Sequence, residues 1–575
     1  MKVADYIIQR LVDAGITQCF MVTGGAALWL NDAIAGSGMD VVCMHHEQAC
    51  AMAAEGYYKI CGKPALVCVT GGPGVLNALA GVWGAAKDNC GMFVLSGQSR
   101  SDTLGRGIGD QECCTRILAQ AAGVYAIESS DPEFAVFHMN ELLKRCVDAP
   151  VWLSVPIDNQ GKEIWHQYDA PLGDKGRVPV CNHEYYPTTE MPIAETAQAL
   201  REANRPVIIV GEGVQVSKDV LLSLAEKIGV PLVGAFNGVQ FVPNAHPCYA
   251  GRQGTIGDVP GNQTVQNADL VIIIGAKMPI RQTGYNIAGF APNAKKIYVN
   301  LYNTDSHDWS NLTSYYRWSN LTSYKFDPCL FIDILSQSEY IEGIDHSAWC
   351  NERHEAAINH VQEYLGDGPT CVNPYKFIKD LFNALPEDAV VVGSNGSACV
   401  IPMQVGTIKS NTRFICNEGS ASMGWGLPAA IGACIANGRK PVVCLEGDGS
   451  IMMNIQELAT IRMHDLPICV VIIDNGGYSS IKQTQDKYAK NKVGYDLGTG
   501  LWIPGIADVA RSFAISASSQ IGEFAAASIA SHYKQMEEPC VVNVVVDHKQ
   551  EFTPKLVAKI QPDGTFASPS LSDME

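Results

Sequence analysis

The chain has 575 residues, a formal net charge of −18, 47% hydrophobic residues and a mean hydropathy of +0.03. That length predicts about three or four domains with sizeable cores. The negative charge disfavours nucleic acid and anionic membrane surfaces as partners, and no apolar run reaches the ~18 residues of a membrane span.

In chain order, Met1-Lys2-Val3-Ala4-Asp5-Tyr6-Ile7-Ile8 reads as the start of an amphipathic helix rather than a signal peptide. The 20 cysteines are scattered, several of them in apolar segments, where free thiols act as small hydrophobes. That usage predicts a reducing, cytoplasmic setting. Residues 1–170 alternate helical patterns with short apolar strands over 41–44, 64–70 and 92–96. His45-His46-Glu47-Gln48-Ala49 lies between the first of these strands and a helix over 51–59, which puts Glu47 at a sheet edge. Residues 169–192 read as a linker. A central unit over 193–340 opens with the strand 206–210, followed by strands at 268–275 and 296–300. It contains a nine-residue tandem repeat, Trp309-Ser310-Asn311-Leu312-Thr313-Ser314-Tyr315 and Trp318-Ser319-Asn320-Leu321-Thr322-Ser323-Tyr324, which reads as surface duplication. A second linker spans about 339–373, a third unit 374–548, and a polar tail 549–575 that reads as surface-draped. The fold class expected is α/β, with three doubly wound parallel-sheet domains.

The third unit carries the chemistry. Glu446-Gly447-Asp448-Gly449-Ser450 follows a strand over 441–445. A helix over 452–465 and an apolar strand over 466–473 then lead to Asp474-Asn475-Gly476-Gly477-Tyr478. In a parallel sheet both turns emerge at the same carboxyl edge, where ligands of open α/β sheets bind. The Asp448 carboxylate, the Asn475 amide oxygen and a carbonyl from the second turn, at Gly477, suit Mg²⁺ shared with a diphosphate. The glycines let backbone N–H groups approach the phosphates.

With this spacing the chain resembles the thiamine diphosphate enzymes, in their acetolactate synthase and pyruvate oxidase branch. The first unit agrees: His46-Glu47-Gln48 is followed by Ala53-x-Glu55-Gly56-Tyr57, and then by Thr70-Gly71-Gly72-Pro73-Gly74-x-x-Asn77. The resemblance makes the first domain pyrimidine-binding and the third diphosphate-binding. It implies thiamine diphosphate and Mg²⁺ as cofactors, Glu47 as the acid that activates the cofactor, and a homodimer or homotetramer with active sites between chains. It assigns Gly24, Gly25, Pro73, Asn77, Gly396, Ser397, Ser422, Met423, Gly447, Gly449, Ser450 and Tyr478 to cofactor binding. Met423 falls where a bulky apolar side chain holds the cofactor bent. Gln111 stands where carboligating relatives carry a pocket glutamine, and the paired histidines of simple decarboxylases are missing from that region.

The chain departs from the pattern at Thr484, where acetolactate synthases place a Trp against the acceptor keto acid. Ser480, Thr484 and Arg281 are the substrate-side candidates. The expected activity is that of a carbon–carbon lyase or carboligase, which decarboxylates a 2-keto acid or cleaves an acyloin-type bond and joins the two-carbon unit to a carbonyl acceptor larger and more polar than a keto acid, such as a keto-sugar. The alternatives are a simple decarboxylase or oxidase of the same fold, acetolactate synthase itself, or a catalytically silent binding subunit. Gly251-Arg252-Gln253-Gly254 and Arg281-Gln282-Thr283-Gly284 are similar to flavin-holding segments of the branch. They leave FAD open as a further cofactor, with a nucleotide-free central unit preferred.

Overall fold

The structure is a computed structural model that describes residues 1–129, 131–164, 190–301, 318, 320–368, 371–520, 524–556, 559–560, 562, 566–567 and 569–574. Three six-stranded parallel sheets follow one another along the chain. The first contains β1 (Gln18–Met21), β2 (Asp40–Cys43), β3 (Ala65–Val69), β4 (Met92–Gln98), β5 (Tyr125–Glu128) and β6 (Pro150–Pro156), in the order β2-β1-β3-β4-β6-β5. Helices α1 (Glu47–Cys61) and α2 (Pro73–Lys87) leave β2 and β3 at its carboxyl edge.

The central sheet contains β7 (Pro206–Val210), β8 (Leu232–Gly234), β9 (Tyr249–Arg252), β10 (Leu270–Ile274), β11 (Lys295–Asn300) and β12 (Leu321–Lys325). Its order is β12-β11-β10-β7-β8-β9, the dinucleotide-fold arrangement with a switch point between β7 and β10. Helix α3 (Pro328–Gln337) follows β12. The third sheet contains β13 (Val390–Gly393), β14 (Arg413–Cys416), β15 (Val442–Gly447), β16 (Ile468–Asp474), β17 (Ser516–Gln520) and β18 (Cys540–Val545). Its order, β14-β13-β15-β16-β18-β17, repeats that of the first sheet strand for strand. Its helices include α4 (Ser397–Val405), α5 (Gly426–Ala436), α6 (Asp448–Ile451), α7 (Leu458–Met463) and α8 (Ser479–Tyr488).

The strands read as unbroken apolar runs because both faces of each sheet are covered. Phe20, Val67 and Val94 face one core, and their neighbours Cys19, Leu66 and Phe93 face another. The first of these cores continues into the third unit through α1 and α5. The two helices cross so closely that a Cβ on Gly56 would lie 2.2 Å from the Ala429 carbonyl oxygen, and one on Gly432 1.8 Å from that of Ala53. Beside this crossing lies a buried polar network. Lys59 pairs with Glu55 at 2.9 Å and with Asp88, while Asn417 and the Trp425 indole donate to Glu55.

Four expectations are corrected. Residues 452–465 do not form one helix: α6 ends at Ile451, a short 3₁₀ turn spans Ile455–Glu457, and α7 begins at Leu458. The chain breaks there because its polar side chains bond outside the segment, Asn454 to the Gly424 carbonyl and Glu457 to His45. The tandem repeat is not merely surface. Its first copy lies outside the described residues, but in the second Leu321–Lys325 forms β12, and Trp318 is buried in a stack on Phe290. The tail returns to the central unit, where Leu571 and Met574 are buried and Asn262 and Gln266 bond Met574 and Ser570. The first linker lies outside the described residues up to 189, and its last residues, from Glu190, begin the helix Glu190–Glu202.

Gly432→Ala should destabilise the chain by about 3 kcal/mol, the upper end for overpacking, because the obstructing atom is backbone. An unchanged urea-unfolding midpoint would mean that α1 and α5 can separate at no cost.

Candidate active site

A cavity of about 260 Å³ opens at the carboxyl edge of the third sheet. The turn after β13 brings Gly396 and Ser397 to it, the turn after β15 brings Gly447, Asp448, Gly449 and Ser450, and the turn after β16 brings Asn475, Gly477, Tyr478 and Ser480. Met423 and Ile481 supply its apolar wall. Helices α4, α6 and α8 all begin here, and none has a side-chain cap. No side chain of the chain fills the space at these starts, although in α4 the Ala398 and Cys399 N–H groups already bond the Asn395 and Gly396 carbonyls. Glycine is required sterically. Gly396 has φ +54°, and a Cβ on Gly449 would meet the Tyr478 ring at 2.3 Å.

Asp448 and Asn475 each present a buried side-chain oxygen with no hydrogen-bond partner. Burial, reinforced by the neighbouring Asp474 charge, pushes the Asp448 carboxyl up to about 7. Glu446, just behind the turn, is also pushed up to about 7 by burial and accepts the Leu427 N–H at 3.1 Å. Ser450 ties the turn to the preceding segment by accepting the Gly424 N–H at 2.9 Å. Ser422 stands outside the cavity wall and pairs with Ser420 at 2.9 Å.

The first-unit candidates gather at the matching edge of the first sheet. Glu47 opens α1 and accepts from the Asn77 amide on α2 at 3.0 Å. Pro73 is the first residue of α2, and Gly72 before it takes φ +59°. A Cβ on Gly72 would meet the Gln111 carbonyl at 2.5 Å, and one on Gly24 would meet Thr70 at 2.4 Å. Gly25 has open space beside it, the Thr70 hydroxyl is buried without a partner, and Gln111 is held at φ +54°. None of these residues lines the third-unit cavity. Thr484 is exposed one turn beyond Ser480 on α8, to which its hydroxyl donates, and Arg281 belongs to the central unit. Both stand outside the cavity wall.

Three family models match the chain: the N-terminal TPP-binding domain of thiamine pyrophosphate enzymes over residues 1–119, their central domain over 193–308, and their C-terminal TPP-binding domain over 394–544. The chain belongs to the thiamine pyrophosphate enzymes. Among its relatives is an acetolactate synthase large subunit from Buchnera aphidicola, 29% identical over 494 residues and 84% of each chain. A probable acetolactate synthase large subunit from Methanocaldococcus jannaschii is 29% identical over 95% of this chain and 92% of its own. The large subunit of acetolactate synthase isozyme 1 from Escherichia coli is 26% identical over 85% and 84%. This thiamine pyrophosphate enzyme is thus a transferase or lyase of the branch resembling acetolactate synthase.

The residues present fit the cofactor. Uncapped helix starts, glycine turns and two orphaned hard oxygens are the donor set that a diphosphate and a divalent ion require. Sequence reading missed two groups around the site, Glu457 and Thr460, which reach across from the third unit to His45. Neither belongs to a local motif; only the polar letters inside an apolar helical pattern marked them.

The proton at Asp448 gives a signed prediction. Its native value near 7 lies above its ordinary 3.8, so between those values this group's contribution to stability falls as pH rises. Asp448→Asn should therefore stabilise the cofactor-free chain above neutrality, by on the order of 1–3 kcal/mol. A thermal midpoint unchanged at alkaline pH would show that the carboxylate is not held at a cost.

Proposed function

We propose that the enzyme is a thiamine diphosphate- and Mg²⁺-dependent carboligase that joins a unit from a 2-keto acid to a carbonyl acceptor bulkier than a keto acid, with a keto-sugar as the leading class. The observation that carries the cofactor half is the pair of orphaned oxygens on Asp448 and Asn475 among three uncapped helix starts. Asp448, Asn475 and the Gly477 carbonyl would hold the ion. Gly396, Ser397, Gly447, Gly449, Ser450 and Tyr478 would surround the diphosphate. When bound, thiamine diphosphate supplies the electron sink for breaking a bond beside a carbonyl. Glu47, steadied by Asn77, would hold a proton at the aminopyrimidine. Met423 and Ile481 exclude water from the apolar side.

Glu47 and Asp448 lie on the edges of different sheets, and among the described residues Glu47 does not line the cavity that holds Asp448. We read the working site as assembled from two copies of the chain. The apolar groups exposed beside the two edges support this: Leu76 and Trp83 on α2, and Met452 and Met453 after α6. The acceptor reading rests on α8. Ser480 lines the cavity, and Thr484, exposed one turn further along α8, stands where acetolactate synthases carry a Trp.

We read the central unit as flavin-free. Arg252, in one of the segments similar to flavin-holding ones, is buried and spends its guanidinium on the carbonyls of Pro402, Met403 and Gly406. The cavity of about 230 Å³ beyond the central sheet is lined by Asp88, Asp148, Glu212 and Asp327 against Lys59 and Lys277. Glu212 opens the helical turn after β7, and Asp327 caps α3. Four carboxylates in this cavity would repel the phosphates of a dinucleotide, which supports the flavin-free reading. Titration of FAD into the full chain should show no stoichiometric change in flavin absorption, and saturable binding would reverse this reading.

Cofactor loading followed by a mass-spectrometric product screen with keto acids and keto-sugars tests the activity; acetolactate as the sole product would overturn the acceptor class. Thr484→Trp should shift preference toward small keto acids by on the order of tenfold or more in competition, as expected for filling a pocket by several methylene equivalents. Glu47→Gln should slow hydrogen–deuterium exchange at the cofactor's thiazolium C2 by about 10²–10⁴-fold with binding largely kept. Exchange at the parent rate would remove Glu47 from its role.

A further inference from the structure

We infer that Glu457 is a positioning residue that sets Glu47 from the neighbouring unit; this rests on reading Glu47 as the cofactor-activating acid. Glu47 is the first residue of α1, and the only side chain that bonds its carboxylate among the described residues is Asn77. Its placement therefore depends on the peptide that leads into the helix. His46 serves the helix itself, with its ring accepting the Gln48 N–H at 3.1 Å. His45 is held from outside the unit. Its main-chain N–H donates to Glu457 Oε1 at 3.1 Å, and its Nδ1 pairs with Thr460 Oγ1 at 3.1 Å. Thr460 Oγ1 in turn donates to Glu457 Oε2 at 2.6 Å.

The Glu457 side chain is completely buried. A buried carboxylate is costly unless its oxygens are bonded, and an apolar residue would fill the same space without that cost. Both oxygens here are committed, one to a peptide N–H two residues before Glu47. Glu457 also belongs to the stretch that builds the metal turn. From Asp448 the chain passes through α6 to Asn454, which bonds the Gly424 carbonyl at 2.8 Å, and then to Glu457. One segment thus shapes the diphosphate edge and clamps the entry to α1.

Misplacement of a catalytic group by about 1 Å can cost on the order of 10²-fold in rate. Glu457→Ala should therefore slow thiazolium C2 exchange about 10²-fold while cofactor affinity stays within about threefold. In the cofactor-free full chain, amide hydrogen exchange by mass spectrometry should already be faster over residues 45–49. Glu457→Gln, which keeps an acceptor for the His45 N–H, should recover most of the rate. Thr460→Val, a milder change that tests the same clamp should the alanine variant fail to fold, should lose about threefold to tenfold, as for one hydrogen bond. C2 exchange at the parent rate in Glu457→Ala or Thr460→Val, or equal losses of rate and cofactor affinity, would overturn the inference. Glu47→Gln run in parallel separates the two readings. Suppressed exchange there with normal exchange in the Glu457 and Thr460 variants sinks the clamp alone, and normal exchange in Glu47→Gln sinks the role of Glu47 itself.

Discussion

The helix crossing at Gly56 and Gly432 is the constraint from which the rest of the arrangement follows. A backbone-to-backbone approach this close admits no side chain at either glycine, so α1 and α5 can meet in one way only. Once they meet, the first and third sheets share a single apolar core. The polar network beside the crossing adds direction. Glu55, Lys59, Asp88, Asn417 and Trp425 satisfy one another, and the Glu418 and Gly419 N–H groups close on Asp88. Such a network contributes little net stability compared with an apolar equivalent, but any other docking angle would strand a buried charge. Arg413 extends the same logic to the central unit, bonding the Lys59 carbonyl on one side and Gln240 on the other.

The carboxyl edge of the third sheet runs against this economy. Elsewhere some helices carry side-chain caps, with Asp131, Asp258, Asp327 and Asn373 each accepting an N–H at a helix start, while others, α2 and α5 among them, start without one. At the cavity three helices start bare, and Asp448 and Asn475 hold oxygens with no partner. Uncapped starts and unpartnered polar atoms also occur elsewhere; here three glycine-rich turns bring them to one cavity, the arrangement that suits an external ligand. The raised Asp448 carboxyl expresses the same fact electrostatically. The position carries a charge that the cofactor-free protein would rather neutralise, and which the proposed divalent ion would stabilise.

How much of this was legible in the sequence depended on the range of the interaction. Both turns of the diphosphate edge were readable because each is local: Gly447-Asp448-Gly449 and Asn475-Gly476-Gly477 need only their own residues and the strands before them. The three parallel sheets were readable because apolar runs without alternation admit few other folds. The broken helix at 452–457 was not readable, since it is interrupted by bonds to Gly424 and to His45, the latter 412 residues away. The partners of Arg252 were unreadable for the same reason. In sequence it stands in a glycine turn similar to a flavin segment, and only the docked third unit shows that its guanidinium is consumed by carbonyls about 150 residues further on. The tail read as polar and loose because the few residues that anchor it, Leu571 and Met574, are outnumbered by serines and charges.

The shared strand order of the first and third sheets explains why the candidate residues divide as they do. Corresponding strands carry corresponding turns: Gly24-Gly25 after β1 answers Asn395-Gly396 after β13, and Gly72-Pro73 after β3 answers Gly447-Asp448 after β15. The two edges are versions of one ligand-binding edge, one furnished with an acid and an amide, the other with metal-type oxygens and bare helix starts. An acid placed beside the orphaned Asp448 would add to the repulsion that already raises its proton affinity, whereas on its own sheet Glu47 is paired with a neutral amide. Separation onto two sheets keeps the two carboxylates apart, so the proposed function draws on both edges together.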